Sequence, residues 1–130
     1  DNVIVVRLGI SDIFEQIIKI SNEDVIIGIC FPRYSKRTID ALSYAKEKNA
    51  KIISITDSLI SPLAPLSNKV LIAKSDMDSF VDSLVAPMSL INALIVSLGV
   101  KGKNKITSVF NDLENVWDKY EIYAKNTSYR

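Results

Sequence analysis

Short runs of β-branched apolar residues alternate with stretches that carry apolar residues at helical spacing, and this alternation limits the possible folds more than any other feature. The runs fall at residues 3–6, 25–30, 51–55 and 70–73. Between the first two runs, Ile13, Phe14, Ile17 and Ile18 recur at helical spacing; between the second and third, Ile39, Leu42 and Ala45 do the same. Near-continuous apolar strands belong to parallel sheets covered on both faces. Strands that alternate with helices predict an open α/β sheet with right-handed crossovers. The 130 residues fit one domain. Ligands of such sheets bind at the carboxyl ends of the strands, which directs attention to the segments after Cys30, Ile55 and Ala73.

Local signals place the boundaries. Asp12 and Glu15 have capping-box spacing, with Ser11 as a rival cap. Gly28 inside the second run predicts close approach by another backbone or a ligand. Lys46 and Lys48 suit the last turn of the helix after that run, and Asn49 can take its left-handed cap. Ser61-Pro62 reads as a helix start, serine capping and proline in the first turn. A long helix is expected over 79–98, apolar on more than one face through Phe80, Leu84, Met88, Ile91, Ile95 and Leu98, and bent at Pro87. A last helix starts near Asn104, with Val109, Phe110, Leu113, Val116, Trp117 and Tyr120 on one stripe; residues 104–130 are expected to pack on the domain or on a partner.

Composition excludes several kinds of chemistry. With no histidine and a single cysteine, Cys30, neither a Ser-His or Cys-His nucleophile nor a zinc cluster can be built. A net charge of +1 argues against nucleic-acid binding by this chain alone. There is no Gly-x-Gly-x-x-Gly, Walker loop or metal-ligand spacing, so no cofactor is expected. The apolar window 80–100 contains Asp82, Asn92 and Pro87 and reads as a buried or dimer-forming helix, not a membrane span. The start of the chain lacks a basic region followed by an apolar run, and a cytoplasmic protein is expected.

The loop 30–38, Cys-Phe-Pro-Arg-Tyr-Ser-Lys-Arg-Thr, carries the most chemical information. It leads from a strand end to a helix N-terminus, where free backbone N–H groups and the helix dipole favour an anion. Three cations, Arg33, Lys36 and Arg37, fall within five residues, and Ser35 and Thr38 offer hydroxyls. A phosphate site is one reading; a capped helix with solvated charges in its first turn is the other. Cys30 is expected to be a buried, inert thiol: a Cys-x5-Arg phosphatase loop needs arginine at position 36, which is Lys36. Thr56 and Ser58 end the third run on the ligand-binding edge, where a polar strand end plus a helix cap would also explain them. Asp76 and Asp78 follow the fourth run as possible acids or bases.

These stretches resemble the sugar isomerase (SIS) domain, in the form found in RpiR-type bacterial transcription regulators. The matching residues are 24–38 (DVIIGICFPRYSKRT), 45–51 (AKEKNAK), 55–58 (ITDS), 61–64 (SPLA) and 80–93 (FVDSLVAPMSLINA). The resemblance covers residues 3–98 and implies a flavodoxin-like parallel sheet with flanking helices, about four of its strands present. In the wider family the loop reads Ser-x-Ser-Gly-x-Thr and holds a phosphate. Here Cys30 and Pro32 stand at the two serines, Arg33 at the glycine and Ser35 at the threonine. The phosphosugar-binding residues implied are therefore Arg33, Ser35, Cys30, Thr56 and Ser58.

The resemblance also implies that the family's first strand, central to the sheet between the first two runs seen here, is not in this sequence; residues 1–130 then read as a single partial SIS domain. The family's isomerases carry a glutamate soon after the last strand, where this chain has Lys74-Ser75-Asp76, so catalysis is not expected. The implied function is an effector-sensing domain of a sugar-metabolism regulator. It would bind a sugar phosphate, form a homodimer or higher homo-oligomer, and reach DNA only through a separate helix-turn-helix domain, with no membrane contact. The alternatives are an aldose–ketose phosphosugar isomerase using Asp76 or Asp78, and an assembly module that binds no sugar.

Overall fold

The computed structural model describes residues 3–7, 12–75 and 83–122, the side chains of 103–106 excepted. Contacts divide the chain into two compact units, Asp1–Leu90 and Ile91–Arg130.

The first unit holds α1 (Ile13–Ile17), β1 (Val25–Ile29), α2 (Lys36–Glu47), β2 (Lys51–Thr56), a 3-10 turn (Ala64–Leu66) and β3 (Lys69–Ile72). The three strands form one parallel sheet in the order β1-β2-β3. Caps behave as the sequence predicts. Asp12 accepts a hydrogen bond from the Phe14 N–H at 2.8 Å and starts α1. Ser35 caps α2, and Asn49 beyond its end takes a left-handed φ of 60°. Asn68 carries the β2–β3 pairing one residue further: its Oδ1 accepts from the Ile52 N–H at 2.7 Å and its own N–H donates to the Ile52 carbonyl at 2.8 Å.

Register decides which face is covered. Ile26 pairs with Ile52 and Gly28 with Ser54, and both pairs lie under α2. Leu42, Ala45, Ala50, Ile52, Leu63 and Cys30 form the core there. Gly28 is needed for a reason other than the expected one: a Cβ would lie 2.6 Å from Leu42 Cδ1, so the close neighbour is a core side chain, not a backbone or ligand. On the opposite face Val25, Ile27 and Ile29 stay half exposed, at 59%, 50% and 49%.

Three expectations are corrected. The run at 3–6 forms no strand. It lines a 560 Å³ groove together with β1 and with Thr38, Ala41 and Leu42 of α2. A strand exists only when its backbone is paired, and facing a groove the run's β-propensity has nothing to pair with. Ser61-Pro62 opens only a turn and the short 3-10 segment, because Pro65 removes a donor and disfavours the α conformation at Ala64. Finally, α3 runs Val85–Lys101, so Pro87 sits in its first turn, where its missing N–H would have no helical partner, and no bend is required. The expected helical positions 79–82 lie outside the described residues.

In the second unit, α4 (Lys103–Lys119) matches the expected last helix, and Val109, Phe110, Leu113 and Val116 remain 38–54% exposed along its stripe. Ile95, Val96, Leu98 and Val100 of α3 are exposed as well. Among the described residues no helix is long and apolar enough to cross a membrane.

Candidate functional site

The topology places all five sequence-predicted site residues at the carboxyl ends of β1 and β2. Cys30 directly follows β1, and its N–H donates to the Ile55 carbonyl at 3.1 Å, extending the ladder by one bond. Its buried thiol accepts from the Ser35 N–H at 3.1 Å. Cys30 thus closes the loop from inside, as a small apolar residue with one weak acceptor.

Arg33 takes a φ of 68°. That left-handed conformation disfavours any residue with a Cβ and suits glycine. It turns the chain so that Ser35 reaches the N-cap position, with its hydroxyl accepting from the Thr38 N–H at 3.4 Å. The first-turn N–H groups of α2 therefore open at this edge, beside an exposed Ser35 and an exposed Arg33. Of the other loop cations, Lys36 pairs with Asp40 at 3.0 Å across one helical turn. That pair is largely solvated and contributes little stability.

Sequence reasoning gave no weight to Tyr34 and Asp57 as a pair, and the structure joins them. The Tyr34 hydroxyl donates to Asp57 Oδ1 at 2.7 Å, linking the loop after β1 to the end of β2. Ser58 Oγ donates to Asp57 Oδ2 at 3.1 Å. Fully buried Thr56 has its Oγ1 2.8 Å from Ser61 Oγ and 3.1 Å from Asp57 Oδ1. Ser61 Oγ in turn accepts from the Leu63 N–H at 3.3 Å. Thr56 and Ser58 are thus engaged with their neighbours, in a network centred on one half-buried carboxylate.

The same network sets the ionisation of its two acids. Partial burial alone would raise the Asp57 carboxyl. The hydrogen bonds from Tyr34, its own N–H, Thr56 and Ser58 outweigh burial and hold it below the ordinary value of 3.8. Tyr34 moves the other way, above 10.0: its bond to Asp57 is the main cause, with burial and the Asp57 charge adding to it. At neutral pH the site is a neutral phenol on an ionised carboxylate.

Ser75, three residues beyond β3, is buried, and its hydroxyl has no hydrogen-bond partner among the described residues. Asp76 and Asp78 lie outside the described residues. No group of His, Cys, Asp and Glu that could hold a metal is present among the described residues.

At the carboxyl edge of the parallel three-stranded sheet, a left-handed turn thus feeds a serine-capped helix. A family model described as the SIS domain matches residues 1–97. The chain belongs to the SIS domain family. The SIS domain has the same fold as the sugar isomerase domain of an RpiR transcription factor from Sphaerobacter thermophilus. That structure shares 25% identity with a TM-score of 0.76, over 82% of this chain and 60% of that one. The NanR protein of Vibrio vulnificus, complexed with ManNAc-6P, is similar in fold at 23% identity and a TM-score of 0.61, over 78% of this chain and 39% of that one. This SIS domain chain therefore spans less than two-thirds of either solved chain. A search of curated proteins gives no match.

Proposed function

We propose that this SIS domain is the effector-sensing part of a transcription regulator of sugar metabolism and binds a phosphorylated sugar at the carboxyl edge of its sheet. The phosphate sits at the N-terminus of α2, held by the Ser35 hydroxyl, first-turn N–H groups and the Arg33 guanidinium. Binding alters the geometry of a homodimer and so the spacing of DNA-binding domains outside this chain. The protein does not isomerise the sugar.

One observation carries this reading. Arg33 stands where the family's phosphate loop has glycine, and its φ of 68° keeps the backbone path that glycine would give. In this reading the N–H groups of Lys36 and Arg37 receive the anion, those of Ser35 and Thr38 being taken up by Cys30 Sγ and Ser35 Oγ, and a guanidinium is added. Support for the ligand class comes from the fold itself, which in NanR is found with ManNAc-6P.

Calorimetric titration against a panel of sugar phosphates, with free sugars and inorganic phosphate as controls, tests the reading. Saturable binding of a sugar phosphate is expected. Arg33→Gly separates charge from conformation, because glycine accepts the positive φ; affinity should fall about tenfold with the turn unchanged, as for loss of a charge-assisted contact. Ser35→Ala should weaken binding comparably. Silence across the panel, or unchanged affinity in both variants, overturns the assignment.

The second reading, an assembly module that binds no sugar, draws on a specific observation too: the polar atoms of Cys30, Thr56 and Ser58 are all engaged within the protein. Saturable binding in the same titration dismisses it.

A further inference from the structure

Asp57 has no place in the phosphate reading, yet it forms the centre of the hydrogen-bond network at this edge. It carries a negative charge one tyrosine side chain away from the loop assigned to an anion. A carboxylate so placed is unhelpful for phosphate binding itself, so its value must lie in something other than affinity for the phosphate group.

We propose that Asp57 is a specificity-determining residue that admits phosphosugars whose remaining groups are neutral or cationic and rejects phosphorylated sugar acids. The proposal rests on the phosphosugar reading above and adds the charge of the ligand's other end.

The geometry supplies the argument. Tyr34 OH binds Asp57 Oδ1 at 2.7 Å, and Tyr34 lies between Arg33 and Ser35 in sequence. The carboxylate is therefore tied to the phosphate loop itself and cannot swing into solvent without breaking that bond. Ser58 holds its second oxygen at 3.1 Å, which fixes the carboxylate plane. Oδ1 already accepts from Tyr34 and Thr56, so a sugar hydroxyl or an ammonium group would be received at Oδ2, beside Ser58. A ligand carboxylate in the same position would meet like charge and be repelled. This edge thus carries a cation, Arg33, in the loop after β1 and an anion, Asp57, just after β2, and it suits a ligand that is anionic at one end only.

Three probes test this by calorimetry on the full chain: glucose, glucosamine and gluconate, each phosphorylated on the terminal carbon. The wild-type protein should bind the first two at least about tenfold more tightly than the third. Asp57→Asn keeps the shape and the acceptor for Tyr34 but removes the charge, so the gluconate phosphate should gain and the ratio should collapse toward unity. Tyr34→Phe removes one of the bonds that hold the carboxylate but leaves its charge and its bonds from Thr56 and Ser58, so the discrimination should weaken without vanishing.

Equal binding of all three probes by the wild type overturns the Asp57 proposal and leaves the phosphosugar reading standing. Silence of all three with both wild type and Asp57→Asn overturns both. Collapse of the ratio in Tyr34→Phe as complete as in Asp57→Asn shows that Asp57 acts only structurally, and also overturns the proposal. Should Asp57→Asn fail to fold, the wild-type ratio and the Tyr34→Phe ratio still decide.

Discussion

The bond between Tyr34 and Asp57 joins residues 23 apart in sequence and makes stability depend on pH at both extremes. Asp57 titrates below its ordinary value of 3.8, so its contribution is present above that value and is lost as pH falls through the lowered one. Tyr34 titrates above 10.0, so its contribution is complete below that value and is lost as pH rises through the raised one. Urea unfolding across pH should show stability falling at both ends, and Tyr34→Phe should flatten both falls while lowering stability at neutral pH by about 1 kcal/mol. Spectroscopic titration of the phenols in the wild type should show one tyrosine ionising late. This pair was not legible in the sequence, because both residues lie in loops and nothing in local spacing brings them together. Arg33 and Ser35 were legible as neighbours of a helix start, since their geometry depends on a cap and a turn.

At the scale of elements, what the sequence revealed follows how local each cause is. Asp12, Ser35 and Asn49 act within a turn of their own helices, and each sits where its chemistry predicts. Pro87 and Pro62 were harder to place, since proline shapes a helix differently in the first turn than in the interior, and the boundary has to be known first. The run at 3–6 shows the opposite limit: its composition favours a strand, but pairing is supplied from elsewhere in space. Gly28 was recognised as a close-approach residue, and only the packing of α2 on β1 shows that Leu42 is the neighbour. Gly28→Ala should therefore push the buried Leu42 out of place and destabilise the first unit by about 1–3 kcal/mol, read from thermal or denaturant unfolding. Pairing Gly28→Ala with Leu42→Ala should cost less than the sum of the two single changes, because the second removes the clashing atoms.

Over the whole molecule, apolar surface exceeds what either unit covers for itself. Val25, Ile27 and Ile29 on the sheet, Ile95 and Leu98 on α3, and Phe110 and Leu113 on α4 are all substantially exposed. Parallel sheets are ordinarily covered on both faces, and a lone amphipathic helix is marginal in water. A stable dimer needs roughly 800 Å² from each partner, an area that apolar side chains on this scale can supply. Sedimentation velocity should show mass rising with concentration, and Phe110→Glu, at a residue 54% exposed, should lower that association without shifting the unfolding of the first unit. Association unaffected by Phe110→Glu would move the interface off the α4 stripe.

The positive φ of Arg33 also bears on how such loops can diverge. Every arginine codon lies a single base from a glycine codon, and the backbone here already follows a glycine path. A lineage can therefore gain or lose the guanidinium at this position in one mutational step without rebuilding the turn. Ligand charge preference can drift between related chains while their loop geometry stays the same.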